Sequence, residues 1–211
     1  MELLEAIRDE HRLIDRVAGS LVAWADRGPD HPDAERDLSD LVEFLRTFVI
    51  HHHHQRQEEA LFGALVEHAE IPPRSGPLVV LRREHDELVE AVDAIEGAGA
   101  VPESAALVRE VAAHLWQHLD KEESVLLLEA ERRLIDGGIR DLAGAPADDR
   151  VEAARALGSE LVYRLPPVDH PDLIRGEGCI ACAAFGEDCH GIETEWWSDW
   201  ERLHHSSLDE G

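Results

Sequence analysis

Apolar residues recur at helical spacing through most of this chain, in four long stretches divided by glycine and proline. Leu4, Ile7, Ile14, Ala18 and Leu21 form one stripe at three- and four-residue spacing with a single gap, and predict an amphipathic helix ended by Gly28-Pro29-Asp30-His31-Pro32. A second helix is predicted from about Ala34 to His68, with Thr47, Ile50, Leu61 and Leu65 along its stripe and Ile71-Pro72-Pro73 beyond its end. The third carries Leu78, Leu81, Leu88, Val92 and Ile95 before Gly97 and Gly99 stop it. Pro102-Glu103-Ser104 opens the fourth, which carries Leu107, Val111 and Val125.

The polar residues inside these stripes carry the chemistry. His11 fills the gap in the first stripe, His54 and Glu58 interrupt the second, His85 the third, and His118 and Glu122 the fourth. Residues four apart on a helix share a face within about 6 Å, so each His-x-x-x-Glu pair aims an imidazole and a carboxylate at one point. The flanks repeat as well. Ile7-Arg-Asp-Glu-His11 reads against Leu81-Arg-Arg-Glu-His85, and Glu58-Glu59-Ala-Leu61 against Glu122-Glu123-Ser-Val125. An internal repeat of this form predicts four helices with pseudo-twofold symmetry and a ligand cluster at their centre.

One histidine in an apolar stripe is ordinarily a hydrogen-bonded core residue; four in equivalent places are not explained that way. Burying four imidazoles and two carboxylates without a cation leaves unpaired charge, which costs several kcal/mol per group. Imidazole and carboxylate donors without thiolate suit iron, manganese or zinc. Six donors suggest two metals, and a redox-active iron pair before a structural zinc, which needs only four.

Beyond Gly137-Gly138 the pattern changes, and the chain divides into a bundle over 1–140 and an extension over 141–211, with a short fifth helix expected around Asp149 to Tyr163. Three cysteines and a histidine follow within twelve residues: Cys179, Cys182, Cys189 and His190. A Cys3His zinc site, a redox disulfide between Cys179 and Cys182, and free thiols are the readings open there. Trp196, Trp197 and Trp200 follow, and a helix bearing them is expected to pack on the bundle.

Composition narrows the partners. Acidic residues outnumber basic ones 46 to 20, a formal net charge of −26, which repels phosphate backbones and anionic membrane surfaces. No apolar run approaches the ~20 residues that span a bilayer. The N-terminus enters an amphipathic helix directly, so no secretory leader is expected and the cytoplasm is the default location.

The motifs His11 in Asp-Glu-His, His54-x-x-x-Glu58-Glu59-x-x-Phe62, Glu84-His85 and His118-x-x-x-Glu122-Glu123 together resemble the hemerythrin-like proteins of the HHE cation-binding type, over residues of about 3 to 134. The resemblance implies an all-α, up-down four-helix bundle around two non-haem, carboxylate-bridged iron ions. It makes Glu58 and Glu122 the bridges, with His11, His54, His85 and His118 as terminal ligands. Oxygen-carrying members use a fifth histidine, paired four apart on the third helix, but here Leu81 and Val89 flank His85 at that spacing. They also carry His-x-x-x-x-Asp on the last helix, where this chain has His118-x-x-x-Glu122. Both departures count against reversible oxygen carriage.

His114, one turn before His118, and His51 are the candidates for an additional ligand or a supporting contact, while His52 and His53 are expected on the helix surface. Glu10, Glu59, Glu84 and Glu123 read as surface charges. The function expected from this resemblance is binding of, or reaction with, dioxygen, peroxide or nitric oxide, fed by a reductant that the sequence does not identify. Oxidation of a small organic substrate, and non-enzymatic iron storage or metal-dependent interaction, are the alternatives.

Overall fold

A computed structural model describes residues 1–28, 31–74, 76–98, 101–143 and 148–168, and among them every regular element is helical. The cysteine cluster and the tryptophans at 196, 197 and 200 lie outside the described residues. Helix α1 is Glu2–Arg27. Helix α2 runs over 34–68 without a break, starting as Ala34–Phe44 and ending as Gly63–His68. Helix α3 is Pro77–Gly97, with Pro77 in its first turn, where a missing N–H costs nothing. Helix α4 covers 101–136, from Val101–Lys121 to Leu127–Asp136. Helix α5 is Asp149–Arg164; its N-cap Asp148 accepts a hydrogen bond from the Val151 N–H.

Two apolar clusters show how the first four helices pack. One joins Ile14 to Ala25 of α1 with Leu41 to Val49 of α2, Leu88 to Ile95 of α3 and Val108 to Leu119 of α4. The other joins Leu3 to Ile7, Leu61 to Leu65, Leu78 to Leu81 and Leu126 to Leu134. The start of α1 therefore lies beside the end of α2, the start of α3 and the end of α4, which is the up-down arrangement. Between the two clusters lies a buried polar layer of Glu10, His11, His53, His54, Gln57, Glu84, His85, His118 and Glu122.

Helix α5 shares the first of these cores. Its Ala154, Leu161 and Val162 pack with α1 and α2, and Arg164 reaches Asp37 Oδ1 at 2.7 Å and Asp40 Oδ2 at 2.5 Å. Gly158 lets α5 approach α2 closely, since a Cβ there would lie 2.4 Å from the Phe44 ring. The chain then crosses α1 at Gly19, where the Val168 N–H donates to the Gly19 carbonyl and a Cβ would meet Pro167 at 2.7 Å. Among the described residues no helix is long and apolar enough to cross a membrane.

Among the described residues three stretches depart from α-geometry. Leu45–His54, Gln57–Phe62 and Glu122–Leu126 are π-helical, and all three touch the polar layer. In a π-turn the hydrogen bond spans five residues instead of four, so each turn holds more residues than the 3.6 of an α-helix. Successive side chains then diverge by less than the usual ~100°, and two neighbours can both face inward.

Candidate metal centre

Among the described residues, two groups of three side chains are placed so that each could hold a cation. His54, His85 and His118 form one, and His11, His53 and Glu122 the other; within each, the donor atoms lie within 4.8 Å of one another and every residue is buried. Glu122 joins the groups. Its Oε2 is 3.0 Å from His11 Nε2 and 4.0 Å from His53 Nε2, while its Oε1 is 3.4 Å from His118 Nε2.

The imidazoles are oriented by a ring of carboxylates. Glu10 of α1 accepts from His53 Nδ1 of α2 at 2.9 Å, and Glu58 of α2 accepts from His85 Nδ1 of α3 at 2.7 Å. Glu84 of α3 accepts from His118 Nδ1 of α4 at 2.9 Å, and Glu123 of α4 accepts from His11 Nδ1 of α1 at 2.6 Å. A carboxylate only accepts, so each Nδ1 carries a hydrogen and each Nε2 points inward, presenting a lone pair wherever the imidazole is neutral. His54 stands outside the ring. It stacks on His85 with ring centroids 3.8 Å apart, and neither of its nitrogens has a hydrogen-bond partner.

Those inward atoms test whether a cation fits. His53 and His85 Nε2 and both nitrogens of His54 are buried without a hydrogen-bond partner, while His11 and His118 Nε2 face the Glu122 carboxylate at 3.0 and 3.4 Å. Each orphaned polar atom carries a desolvation cost of about 1–3 kcal/mol, and a cation in each group would take up the lone pair of one nitrogen per imidazole. The donor set of imidazole and carboxylate suits a first-row metal such as iron.

The metal-free electrostatics point the same way. Burial works against a charge on His118, but Glu122 and Glu84 outweigh it and raise its pKa to about 9. His11 is raised as well, because Glu122 and Glu123 outweigh its burial. Burial pushes His53 down to about 4, lowers His85, and, with the neighbouring His85 and His118, holds His54 well below its usual value. Glu122 remains a carboxylate despite burial because His118 and His11 hold it well below the usual range. Protons on His11 and His118 thus supply positive charge beside Glu122 in the metal-free chain.

The structure brings His11, His54, His85, His118 and Glu122 together, and it adds His53. Expected on the surface, His53 is fully buried, because the π-helical stretch turns it inward beside His54. Glu58 is not brought to the centre. Its side chain is 35% exposed and reaches His85 from outside, while the preceding Gln57 is fully buried and donates from Nε2 to Glu122 Oε2 at 2.8 Å. The α-helical spacing that pairs residues 54 and 58 does not hold across two π-segments.

His114 lies to one side. Its Nε2 donates to the Glu84 carbonyl at 2.9 Å, and it belongs to neither group. His51 is exposed, and His52 donates from Nε2 to Glu10 Oε1 at 2.7 Å. Glu10, Glu84 and Glu123, read from sequence as surface charges, are instead carboxylates of the ring. The repeated Glu-His dipeptides at Glu10-His11 and Glu84-His85 were the available signal, although each glutamate serves an imidazole on the next helix rather than its neighbour in sequence.

Compared with known protein families, the chain matches the Hemerythrin HHE cation binding domain over residues 2–130. No curated protein and no solved structure matches it.

Proposed function

Because the chain belongs to the hemerythrin HHE cation-binding family, we propose that it is a non-haem di-iron protein that binds or reacts with dioxygen, hydrogen peroxide or nitric oxide. The observation that carries this reading is the pair of buried three-residue groups linked by Glu122, with the Nε2 atoms of His53, His54 and His85 left without hydrogen-bond partners. Iron bound there would supply a reversible ferrous–ferric couple and positions open to a small ligand.

The chain's own residues set the conditions. His11, His53 and Glu122 Oε2 would hold one ion, and His54, His85, His118 and Glu122 Oε1 the other. Glu10, Glu58, Glu84 and Glu123 keep the imidazoles in the tautomer that coordinates through Nε2. Lys121 Nζ donates to Glu84 at 2.6 Å and Arg56 forms an ion pair with Glu10 at 2.6 Å, so these two buried carboxylates stay charged. The apolar clusters above and below exclude bulk water from the layer between them.

Metal analysis and optical spectra of the anaerobically reduced protein, exposed in turn to O2, H2O2 and NO, test the proposal. Two irons per chain, with absorption bands that change on exposure, are the expected result. A protein that takes up no iron, or whose bound iron responds to none of the three, overturns it.

A further inference from the structure

The carboxylate ring realigns the internal repeat by one residue and so exposes a substitution that the motifs conceal. Glu10 meets His53 as Glu84 meets His118, and Glu58 meets His85 as Glu123 meets His11. His53 is thus the structural counterpart of His118, and Glu58 of Glu123. The residue before Glu123 is Glu122, and the residue before Glu58 is Gln57. Gln57 therefore holds in the first half the place that Glu122 holds in the second, and both are fully buried. Where twofold symmetry calls for two carboxylates, this centre has one carboxylate and one neutral amide.

The amide has a defined orientation. Gln57 Nε2 donates to Glu122 Oε2 at 2.8 Å. The amide oxygen, one carbon away from that nitrogen, is buried and has no partner. An amide oxygen accepts and cannot donate, so the ligand that satisfies it brings its own hydrogen. Dioxygen and nitric oxide have none; hydrogen peroxide has. The missing carboxylate also leaves the interior one negative charge short of the symmetric arrangement, which favours a ligand that is anionic or readily polarised.

We propose that Gln57 is a specificity-determining residue of this centre, its Oε1 accepting a hydrogen bond from a protic ligand of the peroxide class and favouring that class over aprotic ligands. This rests on the small-ligand reading above and names the ligand class within it.

The test compares iron-loaded wild-type protein with Q57M and Q57L, two substitutions that remove the amide but differ in shape, so a packing defect in one is not imposed on the other. Apparent Kd values come from the concentration dependence of the rapid optical change on mixing with H2O2 and, separately, with azide, an aprotic anion. Iron content and helicity are measured alongside. Losing one hydrogen bond is expected to weaken H2O2 binding about tenfold and azide binding by no more than about twofold. Equal weakening of both, or no weakening of H2O2, overturns the role of Gln57. Loss of iron from both variants overturns it too, because Gln57 would then be a clamp on Glu122. A wild-type protein that binds iron but responds optically to no ligand removes the small-ligand reading itself, and this inference with it.

Discussion

Glu123 Oε1 lies 2.6 Å from His11 Nδ1, and with this contact the last helix of the bundle reaches back to the first. Three like contacts precede it around the bundle, so each imidazole of the ring is oriented by a carboxylate from the helix before it. The ring makes the metal layer a property of all four helices at once.

Substituting the adjacent histidines of α2 separates the two groups. His53→Ala removes a donor from the group with His11 and Glu122, and His54→Ala one from the group with His85 and His118. Each single variant is expected to fall from two bound irons towards one, and the double variant lower still. His51→Ala, on an exposed residue, is expected to keep the wild-type content. Metal analysis after gel filtration measures this, and unchanged iron in His53→Ala would remove that residue from the ligand set.

Weakening the ring acts on affinity rather than on fold. Glu123→Gln and Glu84→Gln keep the shape but loosen control of the tautomer at His11 and His118, and the expected loss of metal affinity is about 10–100-fold. Competition with a chelator of known strength gives the number, and circular dichroism checks that helicity persists.

In the metal-free protein, pH dependence follows from two buried histidines with opposite shifts. His53 titrates at about 4 when folded, against 6.5 as its ordinary value, so the unfolded chain binds more protons in that window and stability rises with pH across it. His118 titrates at about 9, so its contribution is complete below 6.5 and is lost as pH rises through about 9. Glu84, held at about 2 because His118 and Lys121 outweigh its burial, adds stability above 4.5 that is lost as pH falls through about 2. These groups together give maximum stability near pH 6.5, to be read from denaturant melts of the apoprotein across pH. Iron binding must displace the His118 proton, so metal affinity is expected to rise with pH up to about 9.

The contact of α5 with the bundle is testable at Gly158. An added Cβ would lie 2.4 Å from a ring carbon of Phe44, which is itself fully buried and stacked on Phe48. Gly158→Ala is expected to destabilise the protein by about 1–3 kcal/mol through overpacking, measured by urea denaturation. Unchanged stability would mean that α5 shifts away at little cost.

Much of this could be read from the sequence, and what could not has a common cause. The ends of α2 at Ala34 and His68, and the fifth helix from Asp149, follow from apolar periodicity and from glycine and proline punctuation, which act locally. His11, His85, His118 and Glu122 were legible because each interrupts an otherwise apolar stripe. His53 and Gln57 were not, because placing them inward needs π-turns that no local residue preference announces. The motif spacing instead pointed to His54 with Glu58, and only the first of that pair faces the centre. Glu10, Glu84 and Glu123 escaped because their partners lie on other helices, and sequence distance says nothing of which helix comes next around a bundle.

The direction of the carboxylate ring bears on that last point. A four-helix bundle can be wound in either rotational sense, and its apolar stripes bury comparable surface in both. Hydrophobic burial by itself is a poor judge between the two mirror-related topologies. Three ring contacts run from one helix to the next in chain order and the fourth closes from α4 back to α1, so all four run in one rotational sense, and reversing the winding would turn each of these carboxylates away from the imidazole it now meets. The same four glutamates that orient the histidines also discriminate against the wrongly wound bundle, a form of specificity that apolar packing alone does not provide.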